Sequence, residues 1–304
     1  MALGGNPRSC HTSGASCFKL DQHNHPMTEG STPLDRFKAF EAEGWGKRAG
    51  TYGAQLGAMT ARVAEPLLDA AGVRHDMRML DIATGPGYAA ERAAIRGAHP
   101  IGIDISEGML EAARSRQPHL DFRWGDAEEL PFEDESFDAA VGGFVLNHVP
   151  NAERSVAEAV RVLGPAGSVA FSVWDRPERN RMNGVVADAI EDVGVERPPD
   201  LAAGPDSYRF SDDPAFEALL SGAGLEQVQV ETLDLTLTVA DADAFWHGFM
   251  GSTVRMRAVI DAQPDDVRRR IREALEHRLE VHRHPDGLAV PVVAKVGSGR
   301  RPSS

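Results

Sequence analysis

Apolar runs of about five residues alternate with stretches of helical spacing through the first half of the chain. Residues 79–83, 101–105, 120–124, 137–146 and 168–174 each read as a buried strand. Between the second and third, Met109, Leu110 and Ala113 share a helix face after Ser106, an N-cap residue type. Another helix follows Asn151, with Val156, Ala159, Val160 and Leu163 on one stripe and Arg154 placed to pair with Glu158. Gly164-Pro165 ends it. Residues 33–73 are helical by spacing, through Phe37, Phe40, Leu56, Met59 and Val63, with Pro66 suited to the first turn of a new helix that Gly72 closes. Strand and helix at this cadence predict a parallel sheet with right-handed crossovers, a doubly wound α/β fold.

Beyond Asp175 the cadence breaks. Residues 176–210 are polar and Pro/Gly-rich around one helix, and read as an insertion over the carboxyl edge of the sheet. A helix from Asp213-Pro214 and a strand from Val228 follow; its apolar positions change parity between Val230 and Leu233, which predicts a bulge near Glu231-Thr232. Residues 241–284 form a second insertion, whose long helix carries Val267, Ile271, Leu275 and Leu279. Phe245, Trp246, Phe249, Met250 and Met256 there suit an apolar ligand beneath a lid, or equally the lid's own core or a subunit contact. The last strand is expected at 292–296, with Pro291 at or before its start.

The 304 residues carry 32 basic and 46 acidic side chains, a formal charge of −14, so a phosphate backbone is repelled and nucleic acid is not an expected partner. No apolar run reaches the length of a membrane span, and the first 26 residues hold no secretory-type core, which leaves a cytoplasmic protein by default. Cys10 and Cys17 sit with His11, His23 and His25 in a tail, residues 1–32, expected to be disordered. Their spacing matches no zinc element, so no metal is expected. Met27 is an alternative start, and residues 33–304 are expected to form a single domain, monomeric or homo-oligomeric.

Chemistry concentrates in the turn after the first strand, Asp81-Ile-Ala-Thr-Gly85-Pro-Gly87-Tyr-Ala-Ala90. Glycines there let backbone approach a ligand, and the following helix points free N–H groups at it. Asp104, 19 residues after Gly85 at the end of the second strand, is placed to hold a ribose diol. This set alone allows a nicotinamide dinucleotide as readily as another nucleoside.

Further blocks narrow the choice: Asp104-Ile-Ser-x-x-Met109-Leu, Gly125-Asp126-Ala127-Glu-Glu-Leu130-Pro131-Phe132, the Asn147-His148-Val149-Pro150-Asn151 junction and Arg161-Val-Leu-x-Pro165-x-Gly167. With them, residues 45–175 resemble class I S-adenosylmethionine-dependent methyltransferases of the small-molecule type, similar to quinone-biosynthesis C-methyltransferases. Their Asp-x-Gly-x-Gly-x-Gly pattern is met by Asp81, Gly85 and Gly87, with Ala83 in place of the first glycine. The resemblance implies a Rossmann-like sheet of seven strands in the order 3-2-1-4-5-7-6, the last antiparallel, with helical lids at 176–210 and 241–284. It also implies S-adenosyl-L-methionine as cofactor: Asp81, Ala83, Gly85 and Gly87 at the methionine end, Asp104 on the ribose, Ile105 and Met109 on an adenine face. Asp126 and Ala127 would read the adenine edge, Phe144 would lie under the sulfonium, and Tyr52 would close over the whole.

Methyl transfer from a sulfonium needs alignment and exclusion of water more than a particular side chain. An acceptor hydroxyl still wants a base, and His148, on the rim after the fourth strand, is the candidate, though a histidine bonded to backbone at a helix entry would look the same. Asp175 and His247 are weaker candidates. No Asn/Asp-Pro-Pro-aromatic element follows the fourth strand and no cysteine lies in the body of the chain, so the expected partner is a small, fairly hydrophobic methyl acceptor, methylated on carbon or oxygen. Three rivals stay open: an NAD(P)-dependent oxidoreductase, a non-catalytic S-adenosylmethionine-binding regulator, and a tRNA or protein methyltransferase.

Overall fold

The computed structural model describes residues 32–202 and 204–303. The tail with its two cysteines lies outside the described residues, except that Thr32 is ordered as the N-cap of the first helix: its hydroxyl accepts from the Asp35 N–H, and the Asp35 carboxylate accepts from the Thr32 N–H.

Five parallel strands run first: β1 (Arg78–Ile82), β2 (His99–Asp104), β3 (Asp121–Trp124), β4 (Phe137–Gly143) and β5 (Leu163–Trp174). After them come β6 (Glu226–Val239), a two-residue β7 (Arg283–His284) and β8 (Gly287–Arg300). The sheet order is β3-β2-β1-β4-β5-β8-β6, with β8 antiparallel to both its neighbours and β7 paired to its beginning. Apart from β7, this is the expected doubly wound sheet. Successive residues serve opposite layers: Met79 joins the core under α2 (Leu56–Ala70) and α6 (Arg181–Val193), while Leu80 and Ile82 join the core under α5 (Ala152–Val162) and α7 (Asp213–Gly222).

Several local expectations are corrected. Pro66 lies inside α2 and does not open a helix, while Gly72, at φ +61°, does terminate it, with the Val73 N–H bonded to the Leu68 carbonyl. Ser106 is the N-cap residue of α4 (Glu107–Arg116), but its buried hydroxyl makes no cap bond and has no partner among the described residues; its N–H donates to the Asp104 carboxylate. Glu158 pairs with Arg161, not Arg154, which faces Glu129. There is no bulge at Glu231-Thr232: the β6 ladder runs without a break from Gln229 to Val239, and its irregularity lies between Glu226 and Gln229, where Gln227 has φ +52°. The parity change has another cause. Val228 and Val230 pack into the α5/α7 core, Leu233, Leu235 and Leu237 into the opposite one, so a continuous strand covers one layer with its first half and the other with its second. Pro291 stands within β8, opposite Thr236, past the β7 pairing and before β5 begins to pair; among the described residues it has a strand neighbour on the β6 side alone, which tolerates the missing N–H.

Further helices complete the described fold. α1 (Pro33–Arg48) crosses α4 where Gly46 and Gly108 meet; a methyl on Gly108 would come within 2.8 Å of the Gly46 Cα. α3 (Tyr88–Ile95) follows the first crossover turn. The second insertion folds as α8 (Ala242–Ser252), α9 (Arg255–Asp261) and α10 (Asp265–Leu279), seated by buried Ile271, Leu275 and Leu279. Phe245 and Phe249 are buried and stacked, 6.1 Å between ring centres, and both join the core that also holds Met79, Leu67 and Leu275. Among the described residues no helix is long and apolar enough to cross a membrane.

Candidate active site

Strand order reverses between β1 and β4, and the carboxyl ends of β1 to β4 open there on a cavity of about 880 Å³. Tyr52, Ala83, Gly85, Asp104, Ile105, Met109, Asp126, Ala127, Phe144 and His148 all stand in its wall. A smaller compartment adjoins it, sharing Tyr52, Ala83, Gly85 and Phe144, and reaches Asp81. Gly87 is not in either wall: with φ +83°, it turns the chain into α3, and a Cβ there would come within 2.9 Å of the Phe122 ring. Gly85, at φ +53°, has open space on its side-chain face. Ala83 and Phe144 hold left-handed backbone without being glycine, at φ +54° and +61°, beside one another at the ends of adjacent strands. Such residues cost of order 1 kcal/mol or more and cluster where a binding surface dictates the backbone.

The carboxylates are embedded. Asp81 accepts from the Thr84 hydroxyl (2.6 Å) and the Ala90 N–H (3.1 Å), tying β1 to the start of α3. Asp104 accepts from the N–H groups of Gly85 (2.9 Å) and Ser106 (2.8 Å). Burial pushes Asp81 up to about 7 and Asp104 to about 6, against the pull of those hydrogen bonds. Both sites thus favour a ligand that brings positive charge or hydroxyl donors. Asp126 is bound through Oδ2 to Lys38 Nζ at 2.6 Å and through Oδ1 to the Glu128 N–H, while Lys38 also reaches Glu128 at 2.8 Å. Tyr52 donates its hydroxyl to Thr60 at 3.2 Å and packs edge-on to Trp45; burial raises its pKa well above the usual phenol range.

His148 borders this cavity and a second one of about 600 Å³, lined by Leu56, Trp174, Met182, Tyr208, Phe249 and Met256 among others. Its Nδ1 lies 2.9 Å from Glu41 Oε2. The same oxygen accepts from Trp45 Nε1 (2.9 Å), and Oε1 accepts from Arg255 Nε (2.7 Å). Burial alone would raise the Glu41 pKa, but His148 and Arg255 outweigh it and hold it down to about 2. Glu41 is therefore ionised, an acceptor only, which puts the proton of neutral His148 on Nδ1 and leaves Nε2 as the basic nitrogen. The imidazole is thus held by side chains, not by a backbone group. Trp174, stacked on Phe144 at 3.9 Å between ring centres, also borders both cavities.

A family model described as methyltransferase domain matches residues 80–171, the span that supplies most of the first cavity. Residues 80–171 thus match a methyltransferase domain. Among curated proteins, it is 37% identical over 118 residues to a demethylmenaquinone methyltransferase of Renibacterium salmoninarum, covering 39% of this chain and 50% of that one. A Paenarthrobacter aurescens protein of the same description is 31% identical over 155 residues, 50% of this chain and 60% of the other. A malonyl-[acyl-carrier protein] O-methyltransferase of Methylococcus capsulatus is 38% identical over 128 residues, 39% of this chain and 46% of the other. The chain thus spans about half the length of these relatives. Its fold resembles that of the YcgJ protein of Bacillus subtilis, with a TM-score of 0.52 at 20% identity, over 80% of this chain and 99% of that one.

Outside the matched span, the site is completed by residues that sequence reasoning missed. Lys38 and Glu41 of α1, Arg255 of α9 and Gln55 before α2 were not singled out. The available signal was the face Phe37, Lys38, Glu41, Trp45, an i, i+1, i+4, i+8 set that mixes charge with aromatics. Phe40 was counted instead, yet only Phe37 and Glu41 of α1 are buried. Asp175 and His247 line neither cavity: Asp175 is buried against Arg179 at 2.7 Å, and His247 is exposed on α8.

Proposed function

We propose that this chain transfers a methyl group from S-adenosyl-L-methionine to oxygen or carbon of a small, fairly hydrophobic acceptor carrying an ionisable hydroxyl, a quinol or phenol. His148 supports this reading most directly, because a base oriented by an ionised carboxylate stands on the shared wall of two cavities. In this reading the larger cavity takes the nucleoside, with Asp104 on the ribose hydroxyls, Ile105 and Met109 against the adenine, and Asp126 and Ala127 at its edge. Asp81, Ala83 and Gly85 face the methionine end, and Gly87 acts indirectly by shaping the turn. The cofactor supplies a methyl group already activated on a positively charged sulfur. Phe144, with Trp174 behind it, presents an aromatic face suited to that charge. His148 Nε2 is the base that would take the hydroxyl proton of the acceptor, while the bound cofactor would supply the methyl group from its sulfonium. Glu41 is a positioning residue that fixes the imidazole and stabilises its protonated form.

Residues 33–304 then act as one unit, with 176–210 and 241–284 enclosing the acceptor. The acidic charge of −14 supports a small-molecule acceptor over a tRNA. Mass spectrometry of a metabolite extract incubated with the protein and methyl-labelled cofactor should reveal one ion shifted by the label. Label found only in macromolecules, or in nothing despite tight cofactor binding, would reject the proposal in favour of the macromolecular or regulatory rival. Calorimetric binding of NAD, with no binding of S-adenosylhomocysteine, would favour the oxidoreductase.

A further inference from the structure

Resting on that reading, the chemistry of the second cavity narrows the acceptor. Gln55 stands in its wall between the turn Tyr52–Ala54 and α2, 1% exposed, and neither Oε1 nor Nε2 has a partner among the described residues. A buried amide without partners is costly to keep unless something arrives to bind it. Space for it is provided by the opposite helix: a Cβ on Gly248 of α8 would come within 2.2 Å of Gln55 Oε1. Asn147, in the same wall, donates from Nδ2 to the Ser207 carbonyl, but its Oδ1 is likewise unpartnered. Arg255 is the one permanently charged side chain among the described residues of this wall. Each of its nitrogens is engaged, by Glu41, by the carbonyls of Pro205 and Asn147, and by the Ser207 hydroxyl. A carboxylate or phosphate entering here meets no uncommitted cation.

We infer that the acceptor is an uncharged molecule bearing, besides the hydroxyl that meets His148, a second hydrogen-bonding oxygen, a carbonyl or hydroxyl, that is read by the Gln55 amide. A site built to hydrogen-bond discriminates sharply against an analogue lacking the matching group. The apolar remainder of the wall, Leu56, Met182, Phe249 and Met256, takes the carbon skeleton.

The test is calorimetric, on the full chain saturated with S-adenosylhomocysteine, using three phenols of similar size. 4-Hydroxyacetophenone should bind at least tenfold more tightly than 4-ethylphenol, which lacks the second oxygen, and than 4-hydroxybenzoate, which carries a charge. Gln55→Leu should bring the ketone to within about twofold of 4-ethylphenol at unchanged S-adenosylhomocysteine affinity, which also shows that the variant folds. Gly248→Ala, crowding the amide from the other side, should erode the same preference. Equal binding of ketone and ethylphenol, preference for the carboxylate, binding of none of the three, or an undiminished preference in Gln55→Leu overturns the inference. Failure of the wild-type chain to bind S-adenosylhomocysteine in the preceding titration overturns the methyl-transfer reading itself, and this inference with it.

Discussion

The two cavities that meet at His148 are built on opposite plans. In the larger one and the compartment that adjoins it, the strand-end carboxylates are each tied to a neighbour: Asp81 to Thr84 and Ala90, Asp104 to Gly85 and Ser106, Asp126 to Lys38. In the smaller one, the Gln55 amide and the Asn147 Oδ1 are left without partners among the described residues, while the Arg255 charge is met by Glu41. A site shaped for one fixed nucleoside can be braced in advance; a site that reads a particular acceptor keeps its hydrogen-bonding capacity open until that acceptor comes.

Breaking the braced side should have the largest effect. Asp104→Ala removes a carboxylate expected to make two charge-assisted hydrogen bonds of about 1.5 to 3 kcal/mol each, so S-adenosylhomocysteine affinity should fall by roughly a thousandfold in calorimetry. Unchanged affinity would remove Asp104 from the nucleoside site. Next comes the junction. His148→Ala should lower turnover by roughly a hundredfold at the low end of general-base effects, while cofactor affinity holds within a few-fold. Glu41→Gln should reproduce part of that loss and move the pH–rate profile; a flat comparison with wild type would make the pair merely structural.

Acidity separates the strand-end carboxylates from Glu41, which holds His148 at the junction, by sign. Asp81 and Asp104 have folded pKa values raised to about 7 and about 6, so their contribution to stability is fully present below the unfolded value near 4 and is lost as pH rises through 6 to 7. Glu41, depressed to about 2, contributes stability present above its unfolded value near 4.5 and lost as pH falls towards 2. Urea titrations of the free protein should therefore show Asp104→Asn flattening the decline between pH 4 and 7, by on the order of 2 kcal/mol, and Glu41→Gln flattening only the acid limb. If both variants alter the same limb, the electrostatic contrast is mistaken. Smallest of all, Ala83→Gly relieves a left-handed backbone and should raise the melting temperature by a few degrees, about 1 kcal/mol, offset in part by the freer unfolded chain.

What could be read beforehand follows the same division. The strand-end residues of the first cavity sit in local blocks whose spacing is set by the β–turn–α unit itself, so Asp81, Gly85, Asp104 and Asp126 declared themselves along one stretch of chain. Gly87 matched the pattern but faces Phe122, because its glycine serves helix packing and not ligand approach. The second cavity gathers Gln55, His148, Tyr208 and Arg255 from distant segments, and Arg255 is held there by Glu41, 214 residues away along the chain. No periodicity links such positions, and a charged residue on a mostly polar helix such as α1 looks solvated until the tertiary fold buries it. The bulge expected in β6 failed for a related reason: a change of parity is also what a straight strand shows when its two halves cover different layers.

That last feature reaches the chemistry. The segment 241–284 is spliced between β6 and β8, and its two feet are the paired residues Val239 and Leu288. Sliding β6 by a single step would turn Val228 and Val230 out of one core and Leu233, Leu235 and Leu237 out of the other at the same moment, so no neighbouring alignment is affordable. An outermost ribbon, ordinarily the loosest part of a sheet, is thereby made a fixed mounting rail, and the aim of Arg255 towards the centre of the molecule is set by where that rail is bolted.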